Sequence, residues 1–359
     1  MQDVARTRIA PLSAAAPRRA PMFEGRGGKG TGAMLLAATL ASAGPVAADT
    51  EARPVVAPEA RPVVAPEARP VVVPEARPVI APEARPVVVP EARPVVVPNA
   101  ESFAMTATGS GRSYRIFLAR PTRPCAEGGC PVLYFLDGNA TFATAAEALR
   151  LQTRTATSLE PVAVVAIGTD TDQPFDITAR HFDYTTPADP AVLRKRGNGA
   201  PYPPLGGADA FLDFIADDLM PEIGRRLPAD PERAALVGHS LGGYLTLHAL
   251  LTRPRLFATY VAGSPSIWWN EEEIVGRAEA FAATAPDLAG RRLFVGAGGD
   301  EPSGMVEGAA RIAAILAPLG AHGLTLSHQT FAGESHIAVL PALISRSFRL
   351  ALRQPAGTE

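Results

Sequence analysis

Ala234-Ala235-Leu236-Val237-Gly238-His239-Ser240-Leu241-Gly242-Gly243-Tyr244 is the stretch that decides how this chain is read. It runs from an apolar β-type segment through Gly-x-Ser-x-Gly into an apolar segment of helical type. A strand that feeds a helix through so few residues must turn sharply, which puts Ser240 at the apex with its hydroxyl above the sheet edge. Gly238 and Gly242 are expected to let strand and helix approach each other, and Gly243 strengthens the match. The pattern points to Ser240 as a nucleophile. A plain Gly/Ser turn in a βα unit is the alternative.

Working outward, apolar strands and helices alternate. Strands are expected at Ser113–Leu118 (an edge strand), Pro131–Leu136, Val162–Ile167, Tyr260–Ala262, Leu293–Val295 and Leu324–Phe331. Helices are expected at Thr144–Arg150, Ala208–Arg226, Gly308–Leu316 and from about Leu340 to Leu352. Phe211, Phe214, Ile215 and Leu219 share one helical face. This alternation predicts an α/β fold, a mostly parallel sheet covered by helices on both faces, and the Ser240 turn within it points to the α/β-hydrolase type. Catalytic groups then gather at the carboxyl ends of the strands.

A nucleophilic serine needs a base, and the chain has six histidines. His181 precedes Ser240, whereas this fold runs serine, acid, histidine. His239 adjoins the serine but is expected to point elsewhere, and His248 is expected to pack on the helix behind. His322 falls in a turn and His328 inside the last strand. His336 follows a strand end in Phe331-Ala332-Gly333-Glu334-Ser335-His336, where its imidazole can reach over the sheet edge. An acid is expected in the loop Gly296–Pro302, with Glu301 favoured and Asp300 the alternative; a Ser–His pair without an acid stays open. Oxyanion donors are expected from Leu241 N–H and from the Gly138-Asn139 turn. Asn139 tolerates unusual backbone angles, although Asp137-Gly138-Asn139 also reads as an ordinary strand-ending turn.

The first hundred residues differ from the rest. Residues 1–48 read as a targeting segment: Arg26 and Lys29, the apolar run Ala33–Ala41, then small residues with a cleavage point after Ala48. A start at Met22 would shorten its charged region. Residues 49–99 hold six octamers of the type Glu-Ala-Arg-Pro-Val-Val-(Ala/Val)-Pro, with Ile80 as a variant. Two prolines in eight remove donors and bias neighbours to extended geometry, which predicts a polyproline II spacer reaching on the order of 150 Å. Such a spacer can hold an enzyme off an envelope surface or serve merely as a linker. Residues 100–359 are left for one hydrolase domain. The chain has 359 residues and a formal charge of −2 with interleaved signs, which gives no footprint for nucleic acid. Cys125 and Cys130 lie in a hairpin-like loop and are expected to pair in an oxidising, exported setting.

Six motifs occur in one order: Tyr134–Ala140, Ala179–Thr185, Gly206–Leu212, the Ser240 turn, Gly263–Trp269 and Gly333–His336. Together they resemble the esterase branch of the α/β-hydrolases, close to the periplasmic esterases that open the trilactone siderophores enterobactin and salmochelin. The resemblance spans about residues 100–352 and implies Ser240 as nucleophile and His336 as base. It also implies a small-molecule ester substrate and no cofactor or metal. Some members of that group work without a well-placed acid. The resemblance places Trp268 and Trp269 toward the cleft, able to stack on an aromatic acyl group, although either could be core. Arg180 and Tyr184 fall on a covering loop, where Arg180 could hold an anionic or catecholate group, or pair with Asp183 or Asp209. Two rival functions remain: an envelope acyltransferase on the same fold, and a tethered binding protein without activity.

Overall fold

The continuous apolar runs become interior strands because helices cover both faces of the sheet. The computed structural model describes residues 96–193, 195–196 and 199–352. The expected targeting segment and the octamers up to residue 95 lie outside the described residues, as does the end of the chain after residue 352. The strands are β1 (Ala100–Thr106), β2 (Ser113–Ala119), β3 (Cys130–Phe135), β4 (Ala163–Gly168), β5 (Ala229–His239), β6 (Thr259–Gly263), β7 (Arg292–Gly298) and β8 (Thr325–Phe331). They form one sheet in the order β1-β2-β4-β3-β5-β6-β7-β8. The first two pairings are antiparallel and the remaining five parallel.

Alternation along each strand divides the core in two. Val132, Tyr134 and Leu136 face the layer that contains Tyr244, Leu245 and Leu212. Leu133 and Phe135 face the opposite layer, with Phe142, Leu343 and Phe348. That second layer is built by α1 (Gly138–Gln152) and α8 (Val339–Ala351). On the first face lie α5 (Leu241–Thr252), α6 (Glu273–Ala283) and α7 (Ser303–Leu316).

Several elements differ from expectation. β1 exists and takes the sheet edge, so β2 is an inner strand. β2 pairs with β4 rather than β3, so the cysteine loop joins strands that are not neighbours. Cys125 and Cys130 are disulfide-bonded with Cα atoms 5.3 Å apart. The long helix from Ala208 is interrupted: α3 (Ala208–Asp213) and α4 (Met220–Arg226) flank a π-helical turn at Phe214–Leu219. Pro221 cannot donate to the helical ladder, and the widened turn just before it absorbs the mismatch. Arg180 and Tyr184 belong to a short helix, α2 (Ile177–Asp183), and its end, rather than to a loop. Asp176 caps that helix by accepting from Ala179 N.

Candidate active site

Ser240 joins β5 to α5 with φ 61° and ψ −118°, a strained geometry for a non-glycine residue. Close packing explains the neighbouring glycines. A Cβ at Gly238 would stand 2.2 Å from Gly242 O, and one at Gly243 would stand 2.5 Å from Gly263 O. At Gly242 the nearest atom would be 3.3 Å away, so Gly243, not Gly242, is the second tight position. Ser240 N donates to Gly263 O (2.9 Å) and Ser240 O accepts from Ser266 N (3.1 Å), which ties the turn to the end of β6. Ser240 Oγ has Ser266 Oγ at 3.4 Å as its hydrogen-bond partner; the imidazole of His336 makes no such bond with it among the described residues.

His336 Nδ1 lies 2.8 Å from Glu301 Oε2. The Glu301 carboxylate is buried and also accepts from Ser264 Oγ (2.5 Å) and Gly298 N (2.7 Å). Two donors and an imidazole nitrogen therefore converge on a group that is acceptor-only when ionised, which calls for the proton on Nδ1. Asp300 is exposed, with its backbone N–H bonded to Glu334 O (3.0 Å). Of the two acids considered, the structure brings Glu301 to the histidine and leaves Asp300 in solvent. The His336 ring also stands 4.5 Å, centroid to centroid, from that of His239. His239 thus turns toward the site instead of away from it.

Leu241 is the first residue of α5, and Gly138 and Asn139 are the first of α1. Their N–H groups lie in helix first turns, where intrahelical acceptors are lacking and the helix dipole favours negative charge. The left-handed residue of the β3–α1 turn is Asp137 (φ 53°, ψ 51°), not Asn139. Asn139 uses its side chain to tie α1 to the loop after β4, accepting from Thr169 N (2.9 Å) and donating to Thr171 O (2.6 Å). Asp137 is held by two groups from the α2 region: Arg180 Nε donates to its Oδ1 (2.6 Å), and its own N–H donates to Tyr184 Oη (3.0 Å). Burial raises the Asp137 carboxyl, opposed by Arg180 and Tyr184. Arg180 Nη2 also reaches His239 O (3.4 Å). Arg180 and Tyr184 therefore brace the turn that carries the candidate oxyanion donors, instead of lying open to substrate. Arg180 pairs with neither Asp183 nor Asp209.

Trp269 has no exposed surface and is core. Its ring packs edge-on against Tyr202 and Trp268. Trp268 is only partly buried. Ser264 and Ser266, both fully buried, were not singled out from sequence as site residues; their signal was their place in the motif after β6. Among the described residues no cluster of three or more His, Cys, Asp or Glu could hold a metal ion.

Residues 107–319 match the Esterase family, described as "Putative esterase". The chain belongs to this esterase family. It is 40% identical over 254 residues to the ferri-bacillibactin esterase BesA of Bacillus subtilis, covering 69% of this chain and 88% of that protein. Its fold is shared with the BES protein from Bacillus cereus, at a TM-score of 0.69 and 30% identity, covering 73% of this chain and 99% of that one. The siderophore hydrolase EstB from Aspergillus nidulans aligns with a TM-score of 0.59 at 30% identity, covering 74% and 99%. This family member is a carboxylic ester hydrolase with the α/β-hydrolase fold, and its strained serine turn, buried Glu301 and half-buried His336 lie at the carboxyl ends of β5, β7 and β8.

Proposed function

We propose that this esterase opens the ester bonds of trilactone siderophores, with Ser240, His336 and Glu301 as its catalytic residues. The observation that carries the reading is the His336 Nδ1–Glu301 Oε2 contact of 2.8 Å beside the Ser240 turn. Glu301 holds the proton on Nδ1 and leaves Nε2 as the base. For the reaction Ser240 Oγ leaves Ser266 and turns to that nitrogen. Oγ then attacks the ester carbonyl carbon as Nε2 takes its proton. The oxyanion forms against Leu241 N–H and an N–H of Gly138 or Asn139. Collapse breaks the C–O bond, and the leaving alcohol receives the proton from His336. Water repeats the cycle on the acyl-enzyme and releases the acid.

The substrate class is supported by relatives named as ferri-bacillibactin esterase and siderophore hydrolase. Trp268 is the partly exposed ring available to stack on an aromatic acyl group. Residues 1–48 support export, and the Pro-rich octamers support a spacer role near the envelope.

Ser240→Ala and His336→Ala, each assayed on a catecholate trilactone and on a p-nitrophenyl ester, are expected to lose at least about 10,000-fold in kcat. Full activity in a folded Ser240→Ala protein overturns the assignment. Hydrolysis of aryl esters alone removes the siderophore reading. Transfer to an added alcohol in preference to water would make the protein an acyltransferase.

A further inference from the structure

His239 ends β5, immediately before Ser240, and pairs in register with Gly263 of β6. Its side chain is 4% exposed, and its Nε2 is buried without a hydrogen-bond partner. Its ring lies 4.5 Å from that of His336 at an interplanar angle of 43°. His336 is therefore bounded by Glu301 at Nδ1 and by a second, tilted imidazole beside its ring, while its side chain keeps 35% of its surface exposed. An orphaned ring nitrogen in a site this dry is tolerable only on an uncharged ring.

We propose that His239 is a positioning residue for His336: a permanently neutral imidazole platform on which the base rests with its Nε2 turned toward Ser240. The proposal rests on the roles given above to Ser240 and His336. Neutrality is what suits His239 to this place. A cation there would repel the imidazolium that His336 becomes when it takes the serine proton. The surroundings keep it uncharged: burial first, then the nearby His336 and Arg180, together lower His239 to about 3, against a backbone hydrogen bond to His336. The charged and titratable groups around the tilted pair are Glu301 in the loop after β7, Arg180 of α2 on the His239 carbonyl, and Asp137, which neutralises Arg180. His239 therefore stays neutral at any pH near neutrality. His239 itself then contributes no acid limb to the rate profile.

The test uses the full chain carrying His239→Ala or His239→Phe, with Ser240→Ala and His336→Ala as controls. His239→Ala is expected to lower kcat by about 10- to 100-fold through misplacement of the base, with KM within about twofold. His239→Phe keeps a ring and is expected to recover most of that loss. Its acid limb in kcat/KM should persist with a midpoint within about 0.3 pH unit of the native one. The 15N signals of the His336 ring should report a mobile imidazole in His239→Ala and a fixed one in His239→Phe. If Ala at 239 does not fold, Leu serves as the ringless variant. A folded ringless variant with native kcat, a Phe variant as impaired as the ringless one, or loss of the acid limb in His239→Phe each overturns the proposal. Activity surviving in Ser240→Ala or His336→Ala would instead overturn the catalytic assignment beneath it.

Discussion

Ser264 Oγ donates to Glu301 Oε1 at 2.5 Å, and two residues later Ser266 Oγ meets Ser240 Oγ at 3.4 Å. One buried segment after β6 therefore holds both the acid and the serine. Ser264 adopts φ 40° to do so, a left-handed value that costs a non-glycine residue of order 1–3 kcal/mol. Ser264→Ala removes a donor from a buried carboxylate. It should cost about 1–3 kcal/mol in urea unfolding and lower kcat about tenfold by freeing Glu301 to shift. An unchanged kcat would show that Gly298 N alone aligns the acid.

Glu301 and Asp300 are adjacent, but only Glu301 reaches His336. Glu301→Gln offers the imidazole a neutral amide and no longer specifies the tautomer, so kcat should fall by at least about 100-fold. Asp300→Asn should leave kcat unchanged, since that side chain is in solvent. Steady-state kinetics on a p-nitrophenyl ester decide between them; equal losses would contradict the geometry.

The glycines of the serine turn should not be equivalent. Gly243→Ala places a methyl 2.5 Å from the Gly263 carbonyl oxygen, whereas the nearest atom to a methyl at Gly242 is the end of Leu136 at 3.3 Å. Gly243→Ala should therefore destabilise by about 1–3 kcal/mol and reduce activity, with Gly242→Ala the milder change. Thermal melts of the two variants measure the order.

The Arg180–Asp137 pair is buried on both sides, 11% and 3% exposed. Arg180→Met strands a carboxylate and should cost about 3–5 kcal/mol. Adding Asp137→Asn to it should recover part of that loss. Chemical denaturation of both variants checks this, and an exposed, substrate-facing arginine would give a rise in KM with little loss of stability.

Asp183 gives a pH dependence of known sign. Burial raises its carboxyl to about 6, against the pull of Arg112 and Tyr114. Between about pH 4 and 6 the unfolded chain has released this proton while the folded chain keeps it. Stability from this group therefore falls as pH rises through that window, by up to about 3 kcal/mol. Asp183→Asn should remove this slope, so wild type minus variant, followed by urea unfolding at several pH values, isolates it.

The strands β3 to β7 could be read from sequence because their apolar runs are continuous, and the Ser240 turn because its glycines are adjacent in the chain. β1 escaped notice because it is a half-exposed edge strand with a weak alternating pattern. α2 escaped because seven residues are too few to show a helical period; its one sign was Asp176 at the cap. Trp269 looked like a ligand platform, yet sequence cannot tell a buried ring from a cleft-lining one.

The order of residues alone determined which segments alternate as strand and helix, which serine sits on a strained turn, and which histidine and acids follow late strands, because those features are written in local spacing. Tertiary structure decided the rest: Glu301 over Asp300, Arg180 on Asp137, and His239 against His336. Those pairings join groups brought to one sheet edge by parallel strands packed side by side. Which neighbours meet there depends on strand order and side-chain burial, two properties of the packed whole.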